Sequence, residues 1–239
     1  MTGAGGMLGS DLARAFAAEG ADLVLSTRTA TKLEPLAQEV RATGVRTAVI
    51  GADFTREADI DHLAATAWEA FGGIDVVLLS SQPAQPGMGN LLTTTDEAWR
   101  EQQQSIVWGP FRLLRQLAPK MMAAGGGSII TVISSTGLDP TPGYGAYGLA
   151  KGALWTMTRY MAAEWGCHDI RANSICPGLI ATGGSGAATA DSISPRMLAR
   201  TALGRLGRNS EVLGAAIYLA SDEASFTTDQ CIYVNGGRF

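Results

Sequence analysis

The chain has 239 residues, with 18 Lys or Arg against 22 Asp or Glu and a formal net charge of −4. A charged fraction of only 17% excludes a basic stripe for nucleic acid, and 46% apolar residues are ample for a large core. No apolar run approaches the ~20 residues of a membrane-spanning helix and no charged-then-apolar leader opens the chain, so a cytoplasmic protein with no nucleic-acid or membrane partner is expected.

In chain order, Thr2-Gly3-Ala4-Gly5-Gly6-Met7-Leu8-Gly9 comes first. It reads as a phosphate-cradling turn feeding a helix over 9–19. Glycines let backbone approach a pyrophosphate, and a helix N-terminus offers free N–H donors and positive dipole. Such a turn ordinarily follows a β-strand, and only Met1 precedes it here. The first strand is therefore expected to be truncated, with the natural start upstream. Apolar runs then predict strands at 22–26, 47–52, 74–80, 128–134, 171–176 and 230–234. Between them, amphipathic stretches predict helices at 32–42, 60–71, 96–123, 146–165 and 210–221. Thr94-x-x-Glu97 resembles a capping box opening the long fourth helix. Strands alternating with helices imply a doubly wound parallel sheet in a three-layer α/β/α arrangement. Cys167, Cys176 and Cys231 have no paired or metal-like spacing and read as core thiols. With His62 and His168 the only histidines, a metal site or a Ser-His-Asp triad is not expected.

The chemistry concentrates at Tyr147-Gly148-Leu149-Ala150-Lys151, with Ser134 upstream. Tyr147 and Lys151 are one helical turn apart and share a face. A phenol holds its proton until about pH 10. A neighbouring ammonium is expected to bring that value down, and Ser134 could hold a substrate oxygen against the phenol. That is equipment for acid/base work on a carbonyl or alcohol.

Taken together, the ordered motifs resemble the short-chain dehydrogenase/reductase family over essentially the whole chain. They are the glycine turn, Asp53, Ser134, Tyr147-x-x-x-Lys151, Asn173, Pro177-Gly178-x-x-x-Thr182 and Asn235-Gly236-Gly237. The resemblance implies a Rossmann-type sheet in a single domain over 1–239, with a substrate lid around 183–200. It implies NADP or NAD as cofactor, a small-molecule carbonyl or alcohol as substrate, and a homotetramer or homodimer. By resemblance Tyr147 is the acid/base, Lys151 lowers its pKa and binds the nicotinamide ribose, and Ser134 orients the reacting oxygen. The cofactor would lie along Gly3, Gly6, Met7, Leu8, Gly9, Phe54, Ser80 and Ser81. Pro177, Gly178, Ile180 and Thr182 would meet the carboxamide. Asp53 is either the adenine-contacting residue or an ordinary strand-end turn residue. At the end of the second strand the usual acid is missing, and Thr27-Arg28 stands in its place. A guanidinium there can grip a 2′-phosphate, which favours NADP.

Three departures matter. The spacing Gly3, Gly6, Gly9 resembles the extended branch of the superfamily, with Met7 where the short branch has glycine. Leu79-Ser80-Ser81-Gln82 replaces Asn-Asn-Ala-Gly, so Gln82 stands for a glycine beside the nicotinamide ribose. Ile106 falls where the family has the Asn of its proton relay, and Ser105 or Gln104 could substitute in a locally bulged helix. A cofactor-binding member with little redox activity, or a non-redox lyase or dehalogenase on the same fold, is the alternative. On the substrate side, Met88, Leu91, Leu138, Pro140, Tyr144 and Trp155 are possible walls. No cation is placed for an acidic substrate, so a neutral one is expected.

Overall fold

The computed structural model describes residues 1–83, 89–181 and 198–237. Met88, Thr182 and nearly all of the expected lid lie outside the described residues. The parallel strands are β1 (Leu23–Thr27), β2 (Thr47–Gly51), β3 (Val76–Leu79), β4 (Gly127–Val132), β5 (Ile170–Pro177) and β6 (Cys231–Val234). One ladder is β1-β2 and the other β3-β4-β5-β6, every pair parallel. Thr2 joins them, bridging Ser26 on one side and Leu79 on the other.

Residues 1–4 therefore lie between β1 and β3. Thr2 N–H donates to Leu78 O at 2.9 Å, Ser26 N–H to Met1 O at 2.9 Å, and Ala4 N–H to Ser26 O at 3.1 Å. The Met1 ammonium donates to Val24 O at 2.7 Å. It is buried, which lowers its pKa to about 5. A cavity of about 580 Å³ continues from Met1 between residues 22–24 and 75–78, walled by Phe16, Leu63, Phe71 and Leu117.

The helices are α1 (Met7–Ala18), α2 (Glu34–Arg41), α3 (Glu57–Phe71), α4 (Asp96–Gln103), α5 (Gly109–Ala123), α6 (Gly145–Trp165) and α7 (Ser210–Ala220). They cover both faces, as two apolar clusters show. Leu12 and Phe16 of α1, Leu36 and Val40 of α2 and Leu219 of α7 pack under Leu25 and Ile130. Ile60 and Leu63 of α3, Leu114 and Leu117 of α5 and Met161 of α6 pack over Leu79 and Ile129. Each buried Leu or Ile side chain contributes roughly 1.5–3 kcal/mol through removal from water. No helix among the described residues is long and apolar enough to cross a membrane.

Local details correct the sequence reading. The cap of α4 is Thr95, whose hydroxyl accepts from Ala98 N–H at 3.2 Å, one residue later than the expected box. The single helix over 96–123 is two helices joined by a π-helical segment, Gln104–Trp108. Cys167 is exposed, against the expectation of a core thiol. Cys231 lies against Cys176, whose hydrogen bond holds its thiol below the usual value. Pairing of β5 with β6 creates that neighbourhood, and linear spacing does not express it.

Candidate active site

A cavity of about 800 Å³ opens at the C-terminal ends of the strands, where ligands bind in open parallel sheets. Its first wall is the glycine turn. Gly3 has φ +69°, and a Cβ there would lie 2.6 Å from Ser80 O. A Cβ on Gly9 would lie 2.1 Å from Gly3 O. The turn is thus closed by contacts that only glycine permits. Gly6 caps α1 with extended backbone, and no acidic residue stands in the first turn. The Gly6 N–H is used inside the turn, donating to Gly3 O at 3.0 Å, and the positive end of α1 borders the cavity at Met7 and Leu8. These features fit the diphosphate of a dinucleotide. Met7 is exposed at 43% and itself lines the cavity.

Beyond the turn the cavity is lined by Thr27, Arg28, Asp53 and Phe54, the residues expected at an adenosine end, and by Lys32, which the sequence reading did not name. Arg28 lies 3.6 Å from both Asp53 and Glu101 and is half exposed. Exposed pairs at that distance are weak and rearrange readily. Asp53 also accepts from the backbone N–H and hydroxyl of Thr55 at 2.9 and 2.7 Å. It therefore holds the turn after β2 and lines the cavity at once. Lys32 lies in the 3₁₀ turn Ala30–Leu33 that precedes α2, a basic residue just past the strand end.

Another wall of the cavity forms where α6 meets the 3₁₀ turn Ser135–Gly137. Gly148 and Gly152 allow the close approach: Cβ atoms there would lie 2.7 Å from Thr136 O and 2.9 Å from Gly137 O. That contact sets Ser134, which caps the turn, beside Tyr147 on α6. Ser134 Oγ lies 2.9 Å from Thr136 Oγ1, accepts from Thr136 N–H at 3.3 Å, and lies near enough to the phenol to lower its pKa. The Lys151 ammonium is 5.7 Å from the Tyr147 ring centre, so the two do share a helix face. Its Nζ donates to Val132 O at 2.7 Å.

The expected tuning is not what this geometry gives. Burial pushes the Tyr147 phenol up to about 12, and the Ser134 hydrogen bond offsets only part of that. Burial brings Lys151 down to about 8. The ammonium is spent on a backbone carbonyl, not on the phenolate.

Ser80, Ser81, Pro177, Gly178 and Ile180 all line the cavity. Gly178 packs on Asn235, where a Cβ would lie 2.6 Å from its Cα. Asn173 does not reach the cavity; it is buried and ties β5 to Thr227 and Gln230. Of the possible substrate walls that are described, Tyr144 lines the cavity, while Leu91, Leu138, Pro140 and Trp155 do not. The π-helical segment turns Ser105 into the lining and packs Ile106 against Ile133, Ala150 and Leu154. Single-turn π insertions recur at functional sites. Among the described residues no cluster could hold a metal ion.

With that geometry in hand, comparison with known proteins is informative. A family model described as enoyl-(acyl carrier protein) reductase matches residues 3–238. Human dehydrogenase/reductase SDR family member 4 is 30% identical, over 96% of this chain and 83% of its own. Galactitol 2-dehydrogenase (L-tagatose-forming) of Cereibacter sphaeroides is 35% identical, over 99% of this chain and 92% of its own. Among solved structures, the L-sorbose reductase of Gluconobacter frateurii, complexed with NADPH and L-sorbose, superposes with a TM-score of 0.91. That match is 26% identical and covers 100% of this chain and 95% of the other.

Proposed function

We propose, from the premise that this chain belongs to the short-chain dehydrogenase/reductase family of NAD(P)-dependent oxidoreductases, that it interconverts an alcohol with the matching ketone or aldehyde. The observation that carries the reading is Tyr147 and Ser134 side by side at the reacting end of a dinucleotide-shaped cavity. The relatives named as dehydrogenase and reductase of a sugar alcohol and a ketose support the reaction type.

When bound, the nicotinamide supplies the acceptor or donor of the hydride. Gly3, Gly6, Met7, Leu8 and Gly9 hold the diphosphate end. Thr27, Arg28, Asp53 and Phe54 hold the adenosine end, and Ser80, Ser81, Lys151, Pro177, Gly178 and Ile180 the nicotinamide riboside end. Tyr147 takes the proton from the alcohol or returns it to the carbonyl, and Ser134 orients that oxygen. Lys151 lies on the same helix face to favour the charged form of the phenol once its ammonium is released from Val132. Ser105 takes the place of the family's relay residue and carries the proton outward through water.

NADP is the preferred cofactor, because Arg28 and Lys32 offer two cations where a discriminating acid would stand. Residues 1–239 act as one domain, and copies assemble as a homotetramer or homodimer. Exposed Trp99, Trp108, Phe111, Leu149 and Tyr160 on α4 to α6 suit such a contact.

Titration with NADPH and NADH by fluorescence, followed by turnover on a panel of neutral ketones and alcohols, tests this. Binding with turnover, tighter for NADPH, is expected. Binding without turnover across the panel would favour a cofactor-binding member with little activity. No binding of either dinucleotide would remove the redox reading and favour non-redox chemistry on this fold.

A further inference from the structure

Gln82 has no part in the chemistry above. It lies on the segment after β3, and its Oε1 accepts from the Tyr147 hydroxyl at 3.4 Å, a long contact from the opposite wall. The cavity lining that follows β3 and β4 and precedes α6 includes the neutral polar side chains Ser81, Gln82, Ser134, Thr141 and Tyr144. The charged side chains Arg28, Lys32 and Asp53 belong to the β1 and β2 end, on the far side of the sheet order. Lys151 is committed to Val132 O.

We propose that Gln82 binds substrate directly and selects alcohols that carry a second hydroxyl on the carbon next to the reacting one, with α-hydroxy ketones as the reverse substrates. This rests on the oxidoreductase reading above. The reacting oxygen must lie against Tyr147 Oη to exchange a proton. An oxygen on the adjacent carbon then sits about one hydrogen-bond length from the first. Gln82 already reaches the same Oη, so its carboxamide reaches that position too. A carboxamide both donates and accepts, which matches a hydroxyl in either role. Gln82 is exposed, so a methyl group at that position forgoes one neutral hydrogen bond, enough for a modest preference for the hydroxy compound. A carboxylate or phosphate there would find no free cation among the described residues of this wall.

The test compares paired substrates, hydroxyacetone with acetone and acetoin with butanone, in wild type, Gln82→Leu and Gln82→Asn. Each variant is first checked by melting temperature and dinucleotide titration. In wild type the hydroxy member of each pair is expected to have kcat/KM higher by roughly tenfold, the worth of one neutral hydrogen bond. Gln82→Leu should bring that ratio close to one. Gln82→Asn, with a shorter reach, should fall between, which keeps the test open if the leucine variant does not fold. A second readout needs no turnover: quenching of intrinsic fluorescence by hydroxyacetone should weaken in Gln82→Leu. Equal kcat/KM for the two members in wild type, or an undiminished ratio in both variants, would overturn the role of Gln82 alone. Turnover of neither member with either dinucleotide would remove the oxidoreductase reading itself, and this proposal with it.

Discussion

At the scale of single residues, burial acts on Tyr147 and Lys151 in opposite senses. Each charged form is disfavoured, so the phenol rises to about 12 and the ammonium falls to about 8. A difference ultraviolet titration, wild type minus Tyr147→Phe, should therefore show no phenolate from Tyr147 below about pH 10 in the protein without dinucleotide. A phenolate signal near neutrality would contradict it. Ser105→Ala should lower kcat by about tenfold or more with little change in KM, the pattern of a lost proton path. An unchanged kcat would remove Ser105 from the relay. Tyr147, Lys151 and Ser134 were legible in the sequence because their chemistry is local to one helix and one strand end. The pKa direction was not, because it depends on how deeply the packed fold buries two side chains. Ser105 was open to choice between neighbours until the π-helical segment fixed which side chain faces inward. Lys32 escaped notice because its distance from the strand end has meaning only once the 3₁₀ turn is seen.

At the scale of elements, the glycine turn is the most demanding piece. Gly9→Ala would drive a Cβ into Gly3 O, a backbone atom that cannot yield. The variant should lose on the order of 1–3 kcal/mol of stability and most of its dinucleotide affinity. Denaturant unfolding and NADPH titration together measure this; unchanged values in both would mean that the turn is looser than described. Strand and helix order followed from hydrophobic periodicity almost element by element. The boundaries shifted by one to three residues because caps and frayed ends depend on local hydrogen bonding that periodicity does not express. The structure adds that Met1 and Thr2 still bridge β1 and β3 through backbone hydrogen bonds.

At the scale of the whole molecule, a buried ammonium shapes stability against pH. Burial brings Lys151 from 10.5 to about 8, so the unfolded chain binds the extra proton between those values. Stability should thus fall as pH drops from about 10 towards 8, and a pH series of melts should show that slope flattened in Lys151→Met. An equally steep loss in that variant would place the cause elsewhere.

The acid/base role of Tyr147 is tested most directly by Tyr147→Phe, with turnover and dinucleotide affinity measured on the same preparation. The variant's kcat should fall by roughly 10²–10⁴, the usual worth of a positioned acid/base group, with NADPH affinity nearly unchanged. Retained turnover in that variant would contradict it.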